Sequence, residues 1–310
     1  MKSGMKAQNR RSFRTFLLFL LPAVLVYSMI IVYPMLSSFY YSLTEWSGLG
    51  KARFIGMNNY VRLFTDPNIY PVFWRALGHN FYIFALTLII QTPLALYFAY
   101  ALDRKVRGHA IYRNVIFFPV LISTVTVAFM SLIVFEPNIG LLNNLLDKVG
   151  LEDWVQPWLG MENLILLILV LIMIWKSIGV NMMLYLANLQ SIPGEVLEAA
   201  MMDGATEFQK FRKMIFPLLA PSFTINVVLT FIGSIGTFDI VYAIAGENGQ
   251  PNFSADVLGT FYYRTAFTQT LGLQSSDMGL ATAIALVMFF IILVVSVIQL
   301  KLLQKRELEY

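Results

Sequence analysis

The sequence predicts an all-α polytopic membrane protein with six transmembrane helices and both termini on the cytoplasmic side. Three observations carry this: an apolar content that one soluble core could not bury, uncharged stretches of spanning length, and Lys and Arg gathered in alternate loops. Of the 310 residues, 58% are hydrophobic and 13% charged, against roughly 25% charge in an ordinary soluble domain. Mean hydropathy is +0.68, an excess that calls for the bilayer as solvent. The net charge of +4 is therefore read through its placement in loops, not as a nucleic-acid footprint. The sequence has no cysteine, which excludes disulfides, thiol nucleophiles and thiolate metal sites.

Uncharged runs cover residues 15–44, 76–102, 114–135, 214–238 and 278–300, and a sixth, 163–194, is interrupted only by Lys176. Each can cross a ~30 Å hydrocarbon core, which takes ~20 helical residues. Backbone polar groups find no water inside lipid, so these runs are predicted as helices over 15–35, 79–101, 116–135, 164–186, 222–245 and 279–301. The first could be mistaken for a signal peptide, because Lys2, Lys6, Arg10, Arg11 and Arg14 precede it. Its length and the bulky Tyr33-Pro34-Met35 that follows point instead to a retained anchor. Residues 1–14 are then a basic cytoplasmic N-terminus, 15–301 the six-helix transmembrane domain and 302–310 a cytoplasmic C-terminus.

Orientation follows from the loops. The N-terminus, the 103–115 loop, the 187–221 loop and the C-terminus hold fifteen Lys and Arg; the opposite loops hold Lys51, Arg53, Arg62, Arg75, Lys148 and Arg264. In the long outer loop 36–78, Asn58 to Phe64 reads as a short interfacial helix with Tyr60, Leu63 and Phe64 dipping toward lipid.

The sequence lacks the usual enzyme constellations. No stretch fits Gly-x-x-x-x-Gly-Lys-Ser/Thr, so the backbone cradle for nucleotide phosphates is missing. His79 and His109 fall at opposite faces, poor geometry for a zinc site or an acid/base pair. No pair of carboxylates sits at membrane depth. A membrane enzyme is thereby disfavoured. An ion-coupled secondary transporter working alone is a further alternative, although inverted repeats and membrane-buried carboxylates are not evident.

The inner loop 190–218 carries more information. Pro193 suits a first helical turn, Glu195 sits near the positive end of the helix dipole, and Gly204 supplies a helix stop. Thr206-x-x-Gln209 makes a capping box for a second helix, which is expected to finish before Pro217. The small Ala199, Ala200 and Gly204 would let another backbone approach the bend, and Glu198 and Asp203 offer charges to basic partners. A docking knob and a plain solvated connection both fit these signals.

Glu198-Ala199-Ala200, three residues, Gly204, nine residues, then Met214-x-Phe216-Pro217 resembles the EAA loop of permease subunits in binding-protein-dependent ABC importers. That pattern ends Ile-x-Leu-Pro, so the chain departs from it at Met214 and Phe216. Leu189-Gln190-Ser191-Ile192-Pro193 and Asp203-Gly204-Ala205 resemble the carbohydrate-uptake branch. So do Tyr41-Ser42-Leu43-Thr44-Glu45-Trp46, Phe54-Ile55-Gly56-x-x-Asn59-Tyr60-x-x-Leu63-Phe64, Phe117-Phe118-Pro119 and Tyr262-Tyr263-x-x-Ala266-Phe267. One further departure is Ala245 to Pro251, where relatives show a Thr-Gly-Gly-Gly-Pro-like turn.

The resemblance implies a type I ABC importer permease in a bacterial or archaeal cell membrane, similar to the first permease of maltose, multiple-sugar or glycerol-3-phosphate systems. It implies a second permease as heterodimer partner, a cytoplasmic ATPase dimer that binds the ATP, an extracytoplasmic solute-binding protein and a carbohydrate substrate. This chain itself would need no cofactor. Glu198, Ala199, Ala200, Asp203 and Gly204 would sit in a cleft of the ATPase and transmit its stroke.

Spacing suggests the solute path. Asn226, Thr230, Ser234 and Thr237 trace one face of the fifth span, with Thr230 to Thr237 ~12 to 22 Å from its inner end. Lys176, Ser177, Val180 and Asn181 reach similar depth on the fourth. An unpaired Lys in lipid costs ~3 kcal/mol or more unless it snorkels, so Lys176 is expected to face a polar interior. In maltose-type relatives, solute contacts lie at similar offsets around the EAA loop, which adds Lys176, Ser177, Val180, Thr230, Ser234 and Thr237 as path residues. Helix packing is the competing reading for the Ser and Thr residues. Trp175, Phe238 and Tyr242 could stack on sugar rings or face lipid, and Asp239 could gate the path or sit among headgroups.

Overall fold

The structure is a computed structural model that describes residues 15–16, 18–104, 106–268 and 276–304, with only the backbone of 199–201. Among these residues four helices are long and apolar enough to cross a membrane, or six if each of two bent helix pairs counts as one span. The chain divides into two compact units, 1–66 with 265–286 and 67–264 with 287–310.

The first unit begins with α1 (Leu18–Tyr41), whose apolar side chains are exposed along its length. A departure from the all-α expectation follows: strands β1 (Thr44–Glu45) and β2 (Arg53–Phe54) pair antiparallel, Thr44 opposite Phe54. Glycines with positive φ, Gly48 and Gly50, turn the chain between them. The predicted interfacial helix exists as α2 (Asn58–Thr65), but not all of its named residues face lipid. Leu63 is fully buried and Tyr60 donates to Ser42 Oγ at 2.9 Å; Phe64 remains exposed. The cause is Asn59, which is buried and donates to the carbonyls of Ser42 (2.9 Å) and Thr44 (2.8 Å), fastening the helix over the hairpin. Arg62 pairs with Asp277 at 2.8 Å. Asp277 also accepts the backbone N–H of Leu280 in the first turn of α13 (Met278–Gln304).

The second unit opens with α3 (Tyr70–Asp103), 34 residues long and starting well before the predicted residue 79. The third predicted span is not one rod: α4 (His109–Leu121) and α5 (Thr124–Val134) meet at 99°. Ser123 lies in the break, extended, and caps α5 by accepting the Thr126 N–H at 3.2 Å, a start signal that hydropathy does not register. After α6 (Leu141–Lys148) comes α7 (Ile165–Leu189). Its Gly179 lies against the α4 backbone, where an added Cβ would stand 2.8 Å from the Ile116 carbonyl oxygen.

The 190–218 loop forms the predicted helix, bend and helix: α8 (Gly194–Met202), Gly204 at φ +75°, and α9 (Glu207–Leu218). The capping box is present, with Thr206 N–H to Gln209 Oε1 at 2.8 Å and Gln209 N–H to Thr206 Oγ1 at 3.3 Å. The expected stop before Pro217 is overturned, because a π turn at Phe211–Ile215 carries the helix past it. Two other π turns, Ser28–Val32 in α1 and Thr87–Gln91 in α3, likewise end two residues before a proline, Pro34 and Pro93. Proline removes one helical hydrogen bond and crowds the carbonyl four residues back; a wider turn at that point accommodates both without ending the helix.

The fifth predicted span, 222–245, is also interrupted. α10 (Ala220–Ile235) stops at Gly236, and α11 (Asp239–Ala245) follows after a break. Beyond it, α12 (Leu258–Phe267) brings in Arg264, fully buried and paired with fully buried Asp256 at 2.9 Å. Asp256 also accepts from Thr260 at 2.8 Å. Phe253 lies under both Arg75 (4.8 Å) and Arg264 (5.3 Å), and His79 Nδ1 meets the Asp256 carbonyl at 2.7 Å. This knot fastens the 246–257 loop to the first turns of α3.

Candidate functional site

Four elements of the second unit, α3, α7, α10 and α11, with Thr124 of α5, line an open cavity of about 400 Å³. All six predicted path residues line it: Lys176, Ser177 and Val180 from α7, Thr230 and Ser234 from α10, and Thr237 from the break after it. Asn181, Phe238 and Asp239 line it too. Sequence reading missed Thr87 and Gln91, contributed by α3. A polar residue two positions before Pro93 in an otherwise apolar run was the available signal.

The polar groups have a common arrangement. Ser177 Oγ donates to the Met173 carbonyl (2.8 Å) and accepts from Gln91 Nε2 (2.9 Å). Thr230 donates to Asn226 Oδ1 at 3.3 Å, Ser234 to the Thr230 carbonyl at 2.7 Å, and Thr237 to the Gly233 carbonyl at 2.9 Å. The protons of these four hydroxyls are thus committed to the protein, leaving their oxygen lone pairs to a ligand, whereas the buried Thr87 hydroxyl in the same wall has no hydrogen-bond partner among the described residues. Beneath this ladder, buried Asn226 donates to Tyr185 Oη (2.8 Å) and Thr92 Oγ1 (3.3 Å), tying α10 to α7 and α3. Asn80 Nδ2 donates to the Ser234 carbonyl at 2.6 Å.

Two charges face the same cavity. Lys176 is half-buried and Asp239 exposed, and neither makes an ion pair among the described residues. The aromatic candidates divide. Phe238 lines the cavity but is stacked with Tyr242 (5.2 Å) and packed on Tyr263 (5.3 Å). Tyr242 and Trp175 do not line it; Trp175 belongs to a separate apolar recess of about 340 Å³ with Val127, Met130 and Leu171. Of the two readings open for Trp175, the structure places it away from the path.

A larger cleft of about 690 Å³ lies in the first unit, lined among others by Glu45, Arg53, Arg62 and Asp277. Four of its charges pair, Arg53 with Glu45 at 2.5 Å and Arg62 with Asp277 at 2.8 Å, which leaves Lys51 without an ion pair among the described residues.

The loop residues are placed as follows. Glu198, Asp203 and Gly204 are exposed; Ala199 and Ala200 lie within α8, and their side chains are outside the described residues. Ile192, Leu197, Phe211 and Ile215 pack onto a buried cluster with Met182, Tyr185 and Leu189. The opposite face exposes Met202 (88%) and Phe208 (68%). Large apolar side chains are thus bare on either side of the bend, where sequence reading had singled out the small Ala199, Ala200 and Gly204 and the charged Glu198 and Asp203.

Comparison with known proteins adds kinship to this geometry. Residues 91–307 match the family model "Binding-protein-dependent transport system inner membrane component". The chain is 35% identical to the probable ABC transporter permease protein YurN of Bacillus subtilis, covering 92% of this chain and 94% of the relative. It is 32% identical to the multiple sugar-binding transport system permease protein MsmF of Streptococcus mutans, over 93% and 95%. Its fold matches a chain of a bacterial ABC transporter involved in the import of the acidic polysaccharide alginate, with a TM-score of 0.80 at 23% identity over 97% and 98% of the two chains.

Proposed function

The chain belongs to the family of binding-protein-dependent transport system inner membrane components, and we propose that it is the permease subunit of an ATP-driven importer for a carbohydrate. In this reading the chain has six spans, the third bent between α4 and α5 and the fifth made of α10 and α11 after the inner loop, with both termini cytoplasmic as the basic loops suggest. A solute-binding protein delivers the sugar on the far side, a second permease supplies the facing wall, and an ATPase dimer docks on the inner loop.

The observation that carries the solute class is the hydrogen-bond arrangement of the cavity wall. The Ser177, Thr230, Ser234 and Thr237 hydroxyls have spent their protons and offer acceptors, which suits a ligand rich in O–H donors. Lys176 and Asp239 add one charge-assisted donor and one charge-assisted acceptor. The sugar-transport relatives agree with that chemistry. Lys176, Ser177, Val180, Thr230, Ser234 and Thr237 are assigned to the solute path, and Glu198, Ala199, Ala200, Asp203 and Gly204 to coupling. The exposed Met202 and Phe208 flanking the bend support the docking role.

The test is uptake by proteoliposomes holding the full importer. Sugar accumulation that requires both ATP and the ATPase subunits is expected. Accumulation by this chain alone on an ion gradient would support the secondary-transporter alternative and overturn the proposal.

A further inference from the structure

The inner loop is continuous in sequence with α7 and α10, so two walls of the cavity feel its movement through the chain itself. The third wall, α3, has no such covalent tie, yet its last turn is fastened to the loop. Tyr100 and Arg104 at the end of α3 meet Glu207, the first residue of α9. Arg104 forms an ion pair with Glu207 and donates to Tyr100 Oη at 2.9 Å, with its guanidinium 4.8 Å over the Tyr100 ring. Tyr100 Oη in turn donates to Glu207 at 3.3 Å, and Lys210 closes the group at 2.9 Å. The Tyr100 ring packs edge-on against Phe211 at 5.0 Å.

We propose that Tyr100, Arg104 and Glu207 are positioning residues of the transport cycle, a latch that makes α3 follow the inner loop. This rests on the importer reading above. Two independent features agree with it. Arg104 sits at the negative end of the α3 dipole and Glu207 at the positive end of the α9 dipole, so each charge is held by its own helix as well as by its partner. A π turn lies on each side of the latch: Thr87–Gln91 in α3, which carries the two cavity residues Thr87 and Gln91, and Phe211–Ile215 in α9. Such turns are places where a helix can change register without unfolding. Gln91 is about 13 Å along the axis from Tyr100, so motion of the loop reaches the Gln91–Ser177 hydrogen bond through one rigid segment.

The side chains of Arg104 and Glu207 are 45% and 57% exposed, so the pair adds little to folding; its effect is expected in coupling. The experiment uses the complete importer in proteoliposomes and reads sugar accumulated per ATP hydrolysed. Arg104→Glu and Glu207→Arg should each lower that ratio about fivefold while ATP hydrolysis persists, and the charge-swapped double variant should recover most of it. Tyr100→Phe, which keeps the ring and removes the hydroxyl, should fall between. If a charge-reversed chain does not assemble, Arg104→Gln gives the same reading with a neutral side chain. Single variants with the wild-type ratio, or a double variant no better than the singles, would overturn the latch while leaving the importer reading in place. Wild-type uptake that needs no ATP would overturn both.

Discussion

Lys176 stands in the middle of an apolar helix, and its cost there is met by the cavity it faces. If it hydrogen-bonds solute, Lys176→Met removes a charge-assisted donor, a loss of about 1.5–3 kcal/mol, or roughly a 10- to 100-fold fall in uptake with membrane insertion unchanged. Wild-type uptake in that variant would return Lys176 to a snorkelling role. Glu136, outside the spanning helices, shows a different use of charge. The Ile139 backbone N–H at 2.5 Å is the main cause holding its carboxyl below the ordinary value; partial desolvation opposes it, and the Asn138 and Gly140 groups assist. A lowered folded pKa contributes stability above the ordinary 4.5 that disappears as pH falls through the lowered value. The melting temperature of wild type should therefore exceed that of Glu136→Gln at neutral pH, with the gap closing in acid. A gap that widens on acidification contradicts this. The path residues were legible because helical spacing gathers them on one face; Thr87 and Gln91, four residues apart, also share a face, but two polar residues in a long apolar run make a weaker pattern.

At the scale of elements, hydropathy located every apolar stretch but not its interruptions. The breaks at Ser123 and Gly236 depend on one cap and one residue without a Cβ, too small a signal against a run of apolar neighbours. The helix through Pro217 shows the reverse: a strong stop signal was absorbed by a π turn. The Asp256–Arg264 pair escaped sequence reading because Arg264 counts only as a loop charge until the fold buries it. Asp256→Ala leaves that guanidinium buried without its carboxylate, a cost of about 3–5 kcal/mol. Thermal unfolding of the purified protein should register that loss, and Asp256→Leu with Arg264→Met should recover most of it. An Asp256→Ala protein as stable as wild type would show that the pair is not needed to hold the 246–257 loop.

At the scale of the whole molecule, the sequence has no match to a phosphate-binding cradle, and in the proposed importer the energy for transport enters from another subunit. The bent inner loop is the surface best suited to receive it, with its apolar face anchored on α7 and its other face bare. The absence of cysteine makes the most direct measurement simple. Asp203→Cys introduces a single thiol at the exposed bend, and a short thiol-to-amine crosslinker can be applied to native membrane vesicles that take up sugar. The expected result is an adduct between this chain and a nucleotide-hydrolysing subunit, its yield changing when ATP is added. Vesicles that transport normally yet give no such adduct would contradict docking of the motor on this loop.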